Sequence, residues 1–444
     1  MKKLTLFSLL LAFTFATVAA DTNAPSWLAR PLSLADALNT ALAQNATIRK
    51  AQNDLEASHG IVIQTRAVAL PQLQASGKYQ DNEITLVPSG VPFSQPHQSW
   101  STGIQLSQAI YEGGKLRAAL RAASATKQQA IAQYQTAVAD TLLSVRLAYY
   151  DVLLAAQQIT VHEASVNLLQ KELDDQRHRF DAGTVPHFNV LRAEVSVANE
   201  RPNLIRAKNQ YRIAKNNLAN LLGYNLPREI WENIPLNLTD TFDAAPWNVV
   251  LPDAIQQALS RRTELTALRK QVELQQLNIV NAKAGYKPAV SVFAGYNWLN
   301  NSFSTELNNR LDGWNAGAQM TWNIFDGALT HGKVVQADAQ SARAKTDLED
   351  QSRQIELAVR TAYSDFIEAK ETLESQAKVQ EQADEALREA NARAAAGTGT
   401  QLDVLDAETS LTQARTTQVL ALHDYVAARA RLERAIGADL APLK

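Results

Sequence analysis

Two aspartates three residues apart, Asp403 and Asp406, follow a glycine-threonine break in the stretch AAAGTGTQLDVLDAE (394–408). On a helix they share one face. Thr400 with Asp403 has the spacing of a capping box, and an acid in the first helical turn suits the helix dipole. Asp406 gains little more from capping, and two like charges on one face carry a small cost. The rest of the chain offers little chemistry. It has no cysteine, so disulfides, thiol nucleophiles and cysteine metal sites are excluded. The seven histidines are scattered, with no i,i+3 or i,i+4 pair to build a metal site. No nucleophile elbow, phosphate loop or metal-ligand cluster is present, so the sequence does not read as an enzyme and implies no cofactor. A formal charge of −2 gives no sign of a nucleic-acid partner.

The elements that must position the aspartates come from a chain that repeats itself. Residues 1–20 have a basic start, an apolar core and a small-residue end, and read as a signal peptide cleaved after Ala20. No later run is long and apolar enough for a membrane helix. SWSTGIQLSQAIYEGG (99–114) pairs with GWNAGAQMTWNIFDGA (313–328). AGTVPHFNVLRAEVS (182–196) pairs with AGTGTQLDVLDAETS (396–410), and that match runs ungapped to Gly223 and Gly437. The two repeats span about 31–223 and 248–437. Between them, 224–247 reads as a linker rich in Pro, Asn and Asp, and 438–444 as a short tail.

Each repeat predicts the same order. One helix (33–69; 251–285) precedes two strands within about 71–112 and 288–325. A very long helix follows (115–180; 330–395), then a Gly-Thr break and a last helix (188–222; 402–436). Such a helix measures roughly 100 Å, too long for a globular core, and belongs in a coiled coil. Ile355, Val359, Ala362, Phe366, Ala369 and Leu373 alternate steps of four and three, a narrow heptad-like seam. Pro202 predicts a bend or local widening in the last helix of the first repeat. The strands have period two: Trp314, Ala316, Ala318, Met320, Trp322 and Ile324 on one face, small polar residues on the other. That suits either a soluble hairpin or an outer-membrane strand with a polar lumen. Four membrane strands cannot close a barrel of about eight or more, so several chains must share one. Three chains give twelve strands and a channel.

With those motifs on the page, the chain resembles the TolC-like outer-membrane efflux proteins. The resemblance rests on LPQL (70–73), the AIYEGGK and NIFDGALTHGK turns and the two AGT breaks, and covers essentially the whole mature chain. It implies an α+β membrane protein: long antiparallel coiled-coil helices forming an α-barrel, plus four strands per chain in a homotrimeric twelve-stranded β-barrel. It implies a passive duct in outer-membrane lipid, fed by a periplasmic adaptor and an inner-membrane pump that deliver drugs, metals or secreted polypeptides. No Met- or His-rich pattern favours metals. With no N-terminal cysteine for lipidation, anchoring falls to the barrel.

By the same resemblance, Gly183, Thr184, Gly397 and Thr398 are hairpin-tip residues that meet the adaptor. Asp403 and Asp406 line the narrow periplasmic entrance as two stacked carboxylate rings. Their counterparts in the first repeat are Asn189 and Arg192, so the rings come from the second repeat alone. Some members latch the entrance with a tyrosine and an arginine paired to an aspartate; Ala394, Gly399 and Asn189 stand there in this chain. His187 reads as an ordinary exposed tip residue. The rival reading is a periplasmic coiled-coil scaffold that never enters a membrane.

Overall fold

The computed structural model describes residues 31–81, 83, 98–224, 234–300 and 308–438. The expected signal peptide and most of the expected tail lie outside them. The first repeat runs α1 (Leu34–Gln44), α2 (Ala46–Ala67), β1 (Gln72–Asp81), β2 (Gln98–Glu112), α3 (Lys115–Asp181) and α4 (His187–Leu221). The second runs α5 (Leu251–Arg261), α6 (Thr263–Lys283), β3 (Ala289–Asn300), β4 (Arg310–Thr321), α7 (Leu329–Ala395) and α8 (Gln401–Ile436). Between the repeats, residues 234–250 have no helix; Leu238 forms an isolated bridge with Leu32.

The single first helix expected in each repeat is in fact two. In the first repeat Asn45 takes ψ 130° and starts a new helix, its side chain accepting from the Thr47 and Ile48 amides. Its Nδ2 also donates to the Leu221 carbonyl at 2.6 Å, closing the end of α4. In the second repeat Arg262, at ψ 122°, makes the same break. Its guanidinium donates to the Arg434 and Ala435 carbonyls at the end of α8. Both breaks therefore serve the same purpose, since the last carbonyls of a helix need external donors. At Gly223, past the end of α4, φ is +84° and an added Cβ would lie 2.6 Å from the Gln44 carbonyl. Only glycine fits that close approach.

α3 and α7 have 67 residues each, about 100 Å of helix. α3 packs on α4, and α7 on α8, as antiparallel hairpins, and α3 also packs on α8. The heptad seam of α7 faces the core: Ile355, Val359, Phe366 and Ala369 are buried, Ala362 and Leu373 partly so. The main core gathers where the 234–250 segment crosses the helices. Tyr149 is fully buried there, its hydroxyl donating to the Leu32 carbonyl at 3.0 Å and to Asp240 at 3.2 Å. Phe366 packs between Trp247 and Tyr425. Toward the tips the core thins to small clusters such as Leu169, Leu173, Val190, Val197 and Leu405. α4 runs through Pro202 without ending. Pro202 has no N–H to give the Ala198 carbonyl, and its neighbours Glu200 and Asn203 line a cavity between α3, α4 and α8.

Candidate functional site

The four strands form one antiparallel sheet in the order β1-β2-β3-β4. The register carries one face across all of them. Leu73 opposes Leu106, Leu106 opposes Ala294, and Ala294 opposes Ala316. One end of that face carries the pairs Tyr79 with Trp100 and Tyr296 with Trp314. The reverse face holds Gln74 opposite Gln105, Ser76 opposite Gly103, and Asn297 opposite Gly313. The apolar face is exposed, with Leu73 at 71%, Trp314 at 79% and Met320 at 66%. β4 ends at Thr321, so Trp322 and Ile324, expected to continue its face, lie beyond the strand. Among the described residues β1 and β4 are each paired on one side only.

At the far ends of the rods the two hairpin tips are near-copies. Gly183 has φ +72° and Gly397 φ +75°, the left-handed geometry that ends a helix. Thr184 donates both its amide and its hydroxyl to the Arg179 carbonyl, each at 2.9 Å. Thr398 does the same to the Arg393 carbonyl, at 3.0 and 3.3 Å. The Gly-Thr pair thus completes the turn locally. Thr184 and Gly397 also line one cavity of about 530 Å³ between the tips.

Beyond the turn the copies diverge. In the second tip Thr400 caps α8, and Asp403 returns the bond: the Thr400 amide donates to its carboxylate at 2.8 Å. These hydrogen bonds hold the Asp403 carboxyl below the usual carboxylate range. The first tip has Pro186 in the place of Thr400, with no side-chain cap. Asp406 is exposed and makes no hydrogen bond or ion pair among the described residues. Asp403, Asp406, Ser410 and Gln413 form an exposed polar stripe on α8, opposite buried Val404, Leu405, Leu411 and Ala414. The aspartates do not line the inter-tip cavity. Asp403 is therefore occupied locally, while Asp406 is free for another use.

The sequence profile of the outer membrane efflux protein family matches residues 37–224 and 254–438. The chain belongs to that family. TolC of Escherichia coli is 24% identical over 422 residues, covering 93% of this chain and 83% of its own. The cobalt-zinc-cadmium resistance protein CzcC of Cupriavidus metallidurans is 24% identical over 430 residues, covering 95% and 96%. The outer-membrane channel OprN superposes with a TM-score of 0.77 at 21% identity, covering 92% of this chain and 91% of its own. This efflux protein is accordingly an outer-membrane protein with a periplasmic extension, an α-barrel element joined to a β-sheet element.

The positions of the expected latch have other work in this family member. Gly399 lies against its own hairpin: an added Cβ would come within 3.0 Å of the Ala394 nitrogen and the Arg393 Cβ. The Asn189 carbonyl instead accepts from Gln401 Nε2 at 3.0 Å, a direct tie between the two tips. His187 is exposed and packs against Phe180, ring centres 5.2 Å apart. Sequence reasoning missed Gln401 and Glu408. Glu408, five residues past Asp403, is 4% exposed, and its Oε2 has no hydrogen-bond partner. Only the inward half of the α8 pattern could have flagged it, since the buried positions around it are otherwise apolar.

Proposed function

We propose that three copies of this chain share one twelve-stranded barrel in the outer membrane and one helical tunnel beneath it. The observation that carries this is the sheet: four strands, one continuous exposed apolar face, and an open edge at β1 and at β4. Lipid tolerates no unpaired strand edge, and β4 of one copy against β1 of the next removes every edge when the ring closes. The polar reverse face then lines a lumen. The duct is passive and passes small molecules or secreted polypeptides outward.

The tips, with Gly183, Thr184, Gly397 and Thr398, point at the inner membrane and dock a periplasmic adaptor that brings an inner-membrane pump. Asp403 and Asp406 stand at the tunnel entrance, where threefold symmetry makes two rings of carboxylates that favour cations. The test is fractionation with native mass measurement. A three-copy species in the outer-membrane fraction that conducts ions in a planar bilayer is the expected result. A freely soluble protein in the periplasmic fraction overturns the reading in favour of a scaffold.

A further inference from the structure

Among the described residues, the lower hairpins of the two repeats meet chiefly along the seam where α3 packs antiparallel on α8. Its polar rungs can be read from the equator to the tips. First come Asp140 with Arg434 at 2.7 Å and Arg146 with Glu433 at 2.5 Å. Next is Asp151 with His423 Nε2 at 3.0 Å, then Ser165 with Thr412 at 3.0 Å. Last, nearest the entrance, Glu172 on α3 is near enough for its charge to act on Glu408. The upper rungs use arginine, whose charge is fixed at any physiological pH. Two of the three lower ones, at His423 and at Glu408, carry groups that titrate near neutrality.

His423 is held between two carboxylates. Its Nε2 meets Asp151 and its Nδ1 meets Asp424, both at 3.0 Å. A carboxylate only accepts, so both ring nitrogens must donate, and the bonded form is the imidazolium. Asp151 lies on α3 and Asp424 beside His423 on α8, so the Nε2 bond is the one that crosses the seam, and protonation makes it a charged pair. The Phe242 ring from the connector packs edge-on against it, and the α4 residues beside Asp151, Gln210 and Asn217, are uncharged.

Glu408 is a buried carboxylate with no ion pair among the described residues, and its Oε2 has no hydrogen-bond partner there. Glu172, on α3, already accepts from Gln176 Nε2 at 2.8 Å. Asp175 and Arg179 on α3 act on Glu172 with opposite sign. Glu408 also lines the cavity of about 650 Å³ beside α4, where Glu200 is paired with His162 and where Arg206 lies. On the α7 side, Asp384 is taken up by Arg415 at 2.8 Å. A proton on Glu408 removes the cost of a buried charge and the repulsion from Glu172.

We propose that the lower α3–α8 seam is a proton-binding element: protons on Glu408 and His423 hold α8, and with it Asp403 and Asp406, against α3, and their loss frees the start of α8. Both groups act in the same direction. Burial, and then the Glu172 charge, push the Glu408 carboxyl up to about 7. Its contribution is whole below the ordinary glutamate value of about 4.3 and is lost as pH rises through 7. Burial lowers the His423 imidazole, but the Asp151 and Asp424 bonds outweigh it and hold it above its ordinary value. Its contribution is whole below about 6.5 and is lost above it. The seam is therefore tight in acid and slackens as pH rises.

The seam stands on the chain's own contacts; its effect on conduction rests on the channel reading above. The experiment is hydrogen exchange of the full-length detergent-solubilised protein from pH 5 to 8.5, corrected for the intrinsic pH dependence of exchange. Protection of the amides in 401–412 should fall at least about tenfold across the range in the wild type. Glu408→Gln cannot ionise and should reduce the fall to the share that His423 contributes. Glu172→Gln removes the like charge and should shift the fall to lower pH, which keeps the test decisive if Glu408→Gln folds poorly. Protection that is flat in the wild type, or that falls equally in Glu408→Gln, overturns the proposal. Bilayer conductance of the same samples separates the two readings. A pH-dependent seam in a protein that never conducts sinks the channel and leaves the seam. Conduction with a pH-independent seam does the reverse.

Discussion

The two hairpin tips descend from one sequence and close with one geometry, yet they present different surfaces. Gly183 and Gly397 share a left-handed φ, and Thr184 and Thr398 bond the carbonyl of an equivalent arginine. The helices that follow share Val-Leu and Ala-Glu positions but differ in their caps and in the residues at Asn189/Asp403 and Arg192/Asp406. α4 starts from Pro186 uncapped, and Arg192 stacks on Phe188 at 4.9 Å. α8 starts from a full capping box and exposes Asp406 one turn on. The turn is what a hairpin needs for its backbone, so both copies keep it. The pair of carboxylates belongs to one copy only, and in the proposed trimer it would give a pseudo-sixfold tunnel threefold electrostatics.

The largest effect should come from erasing that asymmetry. Asp403→Ala with Asp406→Ala should abolish cation preference in a planar bilayer, read as a reversal potential under a salt gradient. Asn189→Asp with Arg192→Asp, which gives the first tip the same pair, should strengthen it. Unchanged selectivity in both would show that the tips do not differ in function. The shared turn gives the next effect. Gly183→Ala and Gly397→Ala meet open space, with nothing within 4 Å of the new Cβ. Each should cost only the left-handed penalty, about 1–2 kcal/mol, and the two should agree in urea unfolding of their hairpins.

A smaller effect is confined to the second tip. Thr400→Ala should destabilise the start of α8 by about 1 kcal/mol, seen as faster amide exchange over 401–405. Pro186→Ala should leave α4 without a comparable change, because no cap is lost there. The smallest is a pH effect. The Asp403 carboxyl is held down by its bonds to Thr400, so its contribution is present above the ordinary aspartate value of about 3.9. That contribution is lost as pH falls through the folded value. The α8 start should fray in strong acid while the α4 start does not, followed by the same exchange measurement.

Much of this was legible in the residues. The internal repeat, the helix and strand periods, the Gly-Thr breaks and the long rods all appear in the structure where the sequence puts them, within a few residues. The α7 seam from Ile355 to Ala369 is buried as its heptad spacing predicts. The double first helix was not legible. Asn45 and Arg262 each change one ψ angle without disturbing the apolar period, and their reason lies at the ends of α4 and α8, far away in sequence. The Thr400–Asp403 spacing was visible, but its spacing alone could not say that the carboxylate spends its bonds on the cap. Glu408 was invisible because a lone glutamate in a helix reads as solvent-facing.

The sequence by itself determined every feature whose cause is local: which segments are helix or strand, which face of each is apolar, and where the chain turns back. Backbone geometry and a period of 3.6 or 2 are properties of neighbours along the chain. Tertiary structure alone decided what stands opposite what. It aligned four half-apolar strands into one continuous face with two open edges, and it buried Glu408 within reach of the Glu172 charge. Burial and charge pairing depend on the partner brought alongside, and for β2 with β3 and for α3 with α8 that partner lies far away in the chain.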